Sequence, residues 1–286
     1  MVKRKKKGNH GNWWEKQPSY KMAFLDTDFL MQDDLRPVRL QLELMKTETL
    51  LIQHNIRSTI VVFGGTRILE PKECRRRVKA LEAELKKKPG NRKLLSRLAI
   101  AKRIYAKSGF YDESRRFAAL VSTESQNATG ADYVIVTGGG PGIMEAANRG
   151  ADDCNAKSIG LNIAIPQEQK PNRYITPDLC FQFRYFAIRK MHFLLRAKAL
   201  VAFPGGFGTM DELFEALTLA QTDRTKLIPI ILFGKDYWTR LINFDYLVAE
   251  GTIDAADLDY FRFADTAEEA WRLIKEYHKK PTGWKR

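Results

Sequence analysis

The chain has 286 residues, 44% hydrophobic and 29% charged, which suits one sizeable globular domain or one domain with an appendage. No apolar run approaches the roughly 20 residues of a membrane span, and the widely spaced Cys74, Cys154 and Cys180 form neither a CxxC pair nor a metal-ligand cluster, so they read as reduced thiols of a cytoplasmic protein with no metal or cofactor. The net charge of +14, from 48 Lys or Arg against 34 Asp or Glu, points to an anionic partner or to a well-solvated surface.

Residues 1–20 combine Lys, Gly, Asn and His with little periodic hydrophobicity and read as a disordered basic tail. The basic run from Lys3 to Lys7 has no apolar segment behind it and does not fit a secretory signal. Residues 21–57 form an N-terminal helical extension, with an amphipathic helix over 36–55. Ser58 to Phe63 is the first strand, and Gly64-Gly65-Thr66-Arg67 is its terminal turn. Arg67 either reaches a bound ligand or, as loop arginines more often do, stays solvated.

Residues 72–107 hold 14 Lys or Arg against 3 Glu. Val78, Leu81, Leu85, Leu94, Leu95, Leu98 and Ile104 recur at helical spacing, and Pro89-Gly90 breaks the run. The segment is a basic helical hairpin inserted over about residues 71–107. Its charge suits nucleic acid or an anionic regulator, but no aromatic residues interleave with it as on a base-stacking platform, and a solvated face is the favoured reading.

A helix is expected from Asp112 to Ser125, then a strand from Tyr133 to Val136. That strand runs into Gly138-Gly-Gly-Pro-Gly-Ile-Met-Glu145 and a helix beyond, with Pro141 near its first position. Glu145 either meets a ligand or favours the helix dipole. Gly139, Gly140 and Gly142 line a crevice. Further strands are expected at Ser158–Ile165, Leu179–Phe183, Leu200–Phe203 and Leu227–Phe233, with a short extended piece at Phe261–Phe263. Helices are expected at Tyr185–Lys198, from Thr209 to about Thr222, at Asp236–Ala249 and at Thr266–Lys279. Strands alternating with helices predict an α/β fold, a Rossmann-like doubly wound parallel sheet with flanking helices, over residues 58–286.

The stretch Val201-Ala-Phe-Pro-Gly-Gly-Phe-Gly-Thr-Met-Asp-Glu212 carries the most information. Gly205, Gly206 and Gly208 permit a sharp bend and bare N–H groups, and the helix N-terminus at Thr209 is a ready anion site beside Asp211 and Glu212. Thr209 and Glu212 also have capping-box spacing, a purely structural alternative. Two glycine turns after apolar strands suggest one crevice at the carboxyl ends of a parallel sheet. Neither loop is a convincing dinucleotide fingerprint, and neither has a P-loop's Gly-Lys-Ser/Thr ending.

With both loops placed, the sequence resembles the LOG ("Lonely Guy") family of phosphoribohydrolases, in its longer bacterial, AMP nucleosidase-like form. The resemblance covers roughly residues 58–280. It is carried by Arg189-Lys190, by Pro204-Gly-Gly-Phe-Gly-Thr-Met-Asp-Glu212, and by the glycine run at 138–145. It implies hydrolysis of the N-glycosidic bond of a nucleoside 5′-monophosphate, AMP or a cytokinin riboside monophosphate, to free base and ribose 5-phosphate. It assigns Arg189 and Glu212 as the catalytic pair, and Gly205, Gly206, Gly208 and Thr209 to the phosphate. Gly139, Gly140, Gly142, Glu145 and Asp211 are further substrate-binding candidates. Asp211 stands where many relatives have Glu. A homodimer is implied, with Met191 packed in the core or at the dimer contact.

Three other functions compete. A pyridoxal-phosphate lysine decarboxylase would need a Schiff-base lysine in a recognisable site. A nucleotide or cofactor carrier would use the loops without hydrolysis. A nucleic-acid-binding protein would use the hairpin, with steeply salt-dependent affinity.

Overall fold

The computed structural model describes residues 12–127, 130–166 and 170–279. The chain divides into two compact units, Met1–Lys46 and Thr47–Arg286. In the first, Trp13–Lys16, Pro18–Tyr20 and Ala23–Leu25 form short 3₁₀ turns, where composition alone reads residues 1–20 as disordered. Residues 1–11 of that reading lie outside the described residues. Asp26 caps a single helical turn, Thr27–Leu30, by accepting hydrogen bonds from Asp28 N and Phe29 N at 3.2 Å each. Helix α1 spans Arg36–Gln53.

The second unit is built on seven strands: β1 (Thr59–Phe63), β2 (Val134–Thr137), β3 (Ser158–Ile163), β4 (Cys180–Phe183), β5 (Ala197–Ala202), β6 (Ile230–Phe233) and β7 (Phe261–Ala264). All pairings in this sheet are parallel, and the spatial order is β4-β3-β2-β1-β5-β6-β7. The chain winds outward from β1 to one edge, returns beside β1 as β5, and winds to the other edge. That is the doubly wound topology.

The residues explain why both faces are covered. Successive side chains of a strand point to opposite sides. Val61 and Phe63 join one core layer while Ile60 and Val62 join the other. Leu200 and Ala202 are likewise divided from Ala199 and Val201, and Ile230 and Leu232 from Ile231 and Phe233. A strand apolar on both sides must be buried on both, which only a helix-covered parallel sheet allows.

Helices α4 (Gly109–Ser125), α5 (Ile143–Asp152) and α10 (Ala267–Lys279) cover one face, through Phe117, Val121, Ala147 and Ile274. Helices α6 (Phe186–Leu195), α7 (Phe207–Gln221), α8 (Lys235–Leu241) and α9 (Phe244–Ala249) cover the other, through Phe193, Leu213, Trp238 and Phe244. Helices α2 (Pro71–Lys87) and α3 (Arg92–Ala106) form the basic hairpin, and Asn91 caps α3 by accepting from Leu94 N at 3.1 Å.

Several boundaries differ from the sequence expectation. The helix expected over Tyr185–Lys198 stops at Leu195, because the Arg196 carbonyl already accepts from Thr59 N at 2.9 Å and the chain has joined the sheet. Good helix formers, Ala197 and Ala199, thus serve as strand residues, an override of propensity by tertiary pairing. The helix expected over Asp236–Ala249 is two helices, since Asn243 starts a new one by accepting from Tyr246 N at 3.0 Å. Gln126–Asn127 and Gly130–Ala131 add a small antiparallel pair that was not expected. Among the described residues no helix is long and apolar enough to cross a membrane.

Candidate active site

The winding direction reverses between β1 and β5, and the carboxyl ends of the strands at such a switch point are where sheets of this kind bind ligands. Three loops meet there. Gly65 N, after β1, donates to the Pro204 carbonyl after β5 at 2.9 Å. The Gly65 carbonyl accepts from Ile143 N, at the head of α5, at 3.3 Å. The β1 turn therefore ties both glycine loops together. Gly142 has φ +74°, and a Cβ there would lie 2.4 Å from the Gly65 oxygen, so no side chain fits this junction.

The loop after β5 turns more tightly than its sequence suggests. Helix α7 begins at Phe207, two residues before Thr209, and Gly206 is its N-cap. Thr209 is therefore the third helical residue and makes no capping box with Glu212. A Cβ at Gly205 would stand 2.1 Å from Thr209 Oγ1, so the hydroxyl is folded back onto the turn. Tyr237 Oη braces the turn by donating to the Gly205 carbonyl at 2.6 Å. Among the described residues, nothing beyond the glycine itself, its chain neighbours and the adjacent turn of the helix lies within 4 Å of a Cβ placed at Gly206 or Gly208, and Phe207 is 91% exposed. There is thus room beside the first turn of α7, whose leading N–H groups have no carbonyl partner within the helix.

Glu212, one turn further on, points inward and is 8% exposed. Its Oε1 lies 3.4 Å from Nη1 of Arg189 on α6. Arg189 Nε donates to the Leu161 carbonyl of β3 at 2.7 Å, and its guanidinium lies over the Phe193 ring, 5.0 Å from the centroid. A Cβ at Gly138 would lie 2.7 Å from Arg189 Nη2, so the second glycine loop rests against the same guanidinium. Burial pushes the Glu212 carboxyl up to about 7, against the opposing pull of Arg189 and Lys190. Burial also lowers the Arg189 pKa, but a guanidinium starts so high that it stays charged. The result is a fixed cation beside an acid that titrates near neutrality.

Lys190, next along α6, bonds Asp211 Oδ1 at 2.8 Å and Glu215 Oε2 at 3.0 Å. Burial alone would lower its pKa, yet those two carboxylates raise it. Asp211 is thereby engaged with Lys190 at a half-exposed position. Glu145 accepts from Tyr111 Oη on α4 at 2.9 Å. Arg67 is exposed and lines a groove with α2 and α3. His192 is buried against Phe183, with Nδ1 3.3 Å from Glu48 Oε1 and its pKa lowered by burial.

Three asparagines that the sequence reading passed over shape the Gly138 loop. Gly139 has φ +75°, and a Cβ there would strike the Asn162 side chain at 2.3 Å. Asn172 Nδ2 donates to the Gly139 and Gly140 carbonyls at 3.2 Å each and to Asn148 Oδ1 at 2.9 Å. Asn148 Oδ1 also accepts from Thr137 Oγ1 at 2.7 Å. The one available signal was Asn148 itself, a fully polar residue on the apolar face of α5 beside Ala147 and Ala151.

A family model described as "Possible lysine decarboxylase" matches residues 144–274. A cytokinin riboside 5′-monophosphate phosphoribohydrolase of Arabidopsis thaliana, LOG3, is 31% identical over 149 residues, which is 50% of this chain and 67% of the relative. A crystal structure from a structural-genomics consortium is 18% identical with a TM-score of 0.46, covering 77% of this chain and 99% of that one. The Moco carrier protein of Chlamydomonas reinhardtii is 16% identical with a TM-score of 0.40, covering 60% of this chain and 88% of that one.

Proposed function

The chain belongs to the LOG family, and from that premise we propose that it is a nucleoside 5′-monophosphate phosphoribohydrolase of the AMP nucleosidase type. It hydrolyses the N-glycosidic bond to free base and ribose 5-phosphate, with AMP and N6-modified adenine monophosphates as the first substrates to try. The observation that carries the reading is the buried Arg189–Glu212 pair, 3.4 Å apart, set between two glycine loops, one of which ends in an open helix N-terminus.

The chemistry follows from those parts. The substrate phosphate anchors at Gly205, Gly206, Gly208 and Thr209, and its binding energy holds the sugar in place. Water bonds through oxygen to C1′ and gives a proton to Glu212. The C1′–N bond breaks, its electron pair leaves with the base, and the base takes up a proton from the medium. Positive charge builds on the ribose as in other glycosidic cleavages, and the Glu212 carboxylate faces it. A pKa near 7 suits a group that must accept a proton at neutral pH. Arg189, fixed by Leu161 and Phe193, keeps that carboxylate and the ribose oxygens in register.

Lysine decarboxylation is disfavoured by Lys190. A Schiff-base lysine must lose its proton readily, whereas this ammonium is held by two carboxylates that raise its pKa. Half-exposed Phe186, Met191 and Leu195 on α6 suit a homodimer contact, which light scattering would report. The test of activity is purified protein with AMP, followed by chromatography for adenine and an assay for ribose 5-phosphate, with Glu212→Gln alongside. Adenine from the wild type alone supports hydrolysis. Tight nucleotide binding without release from AMP or an N6-modified AMP would favour a carrier.

A further inference from the structure

The basic hairpin encloses a groove of about 510 Å³ that the hydrolase reading leaves unused. Its floor is apolar: Leu81 and Ala80 from α2, Ile100, Ala101 and Ile104 from α3, with Leu69 at one end. Ile100 is half-exposed, so the floor faces solvent. Arg67 and Arg77 stand at the end nearer the β1 turn, and Glu84 and Arg97 at the end nearer the hairpin tip. Arg77 is shared with Glu73 at 2.8 Å, while Arg67 has no carboxylate partner among the described residues. At the tip end the acid and the base offset each other. The groove is thus apolar along its length and cationic at one end.

Charge complementarity and shape select its occupant. We infer that this groove binds a small amphipathic anion: one anionic group at Arg67 and Arg77, with an apolar body lying toward Ile100 and Leu81. From Arg77 to Glu84 the helix rises about 10 Å, which sets the length of that body. The volume is within the range of small-molecule sites. An aqueous nucleic-acid backbone would gain nothing from the apolar floor and would need the outer faces of the hairpin instead. Arg67 lies two residues beyond Gly65, the residue that ties the two glycine loops, so the site adjoins the crevice without belonging to it.

The test uses 8-anilinonaphthalene-1-sulfonate as a fluorescent amphipathic anion and octanoate as competitor, on the full-length protein. Saturable enhancement at one site per chain is expected, with displacement by octanoate and not by octanol. Arg67→Ala and Ile100→Glu should each weaken binding about tenfold or more, since each removes a charge-assisted bond or a buried apolar contact. Lys93→Ala, on the same hairpin and outside the groove, should bind as wild type. Circular dichroism checks that each variant folds. Unchanged affinity in both groove variants would place the dye elsewhere and overturn the proposal. So would equal competition by octanol, displacement by an oligonucleotide that is indifferent to Ile100→Glu in its own binding, or a change in subunit number caused by Ile100→Glu, which would assign the groove to a second copy.

Discussion

Replacing Glu212 by Gln should remove a loss of stability that the wild type undergoes between pH 5 and pH 8, while abolishing its activity. The reasoning starts from burial. Glu212 is 8% exposed, and its carboxyl is pushed from an ordinary 4.5 up to about 7. The folded state therefore binds a proton more tightly than the unfolded chain does. Stability falls as pH rises wherever the folded state holds more protons, so the wild type loses stability between about 4.5 and 7 and recovers none above it. The amide of the Glu212→Gln variant cannot ionise and is spared that loss. Integrating the two titrations from pH 5 to pH 8 gives about 2 to 3 kcal/mol.

The comparison across pH isolates this effect. Loss of the partner for Arg189 is a constant offset between wild type and variant, and it cancels when the two pH values are subtracted. For a domain of this size the effect corresponds to roughly 5 °C in Tm or somewhat more. Urea unfolding of both proteins at pH 5 and pH 8 measures it. The same carboxyl should appear as the acidic limb of the pH–rate profile, with activity rising through about 7 as Glu212 ionises. Parallel stability profiles for wild type and Glu212→Gln would refute the assignment of a neutral-range pKa to this residue.

Lys190→Gln removes a cation that holds the Glu212 pKa down, so the acidic limb of the pH–rate profile should move to higher pH. Arg189→Lys loses both the Nε bond to Leu161 and the planar contact with Phe193, and kcat should fall about a hundredfold or more with the fold intact. Gly205→Ala drives a methyl into Thr209 Oγ1, and isothermal titration should show loss of AMP binding. Gly139→Ala combines φ +75° with a clash at Asn162, and should destabilise by about 1 to 3 kcal/mol on chemical unfolding.

The fold was legible because its signals are local. Apolar β-branched runs such as Thr59–Phe63 and Ile230–Phe233, separated by helical stretches, leave few topologies besides a helix-covered parallel sheet. Both glycine loops were legible for the same reason. The start of α7 was not, because Phe207 is 91% exposed and breaks the amphipathic pattern from which a helix start is read. The asparagines at 162 and 172 were invisible, and Asn148 showed only as a polar residue on an apolar helix face, because all three matter through contacts between separate segments of the chain.

The deeper gap concerns environment. As residue types, Arg189 and Glu212 are indistinguishable from a surface ion pair, which is worth little in water. Nothing in their spacing sets a pKa. What changes them is topology: β5 returns beside β1, the Gly65 turn draws both glycine loops inward, and α6 and α7 bring the two side chains out of solvent. In that low-dielectric setting the acid holds its proton up to neutral pH, and a fixed cation stands beside it. The folded state carries this as a stability cost above pH 7, which a purely structural ion pair would have no reason to retain. An acid that titrates near neutrality beside a fixed cation is what the hydrolase proposed above requires of its reactive carboxylate, and what a helix cap does not require.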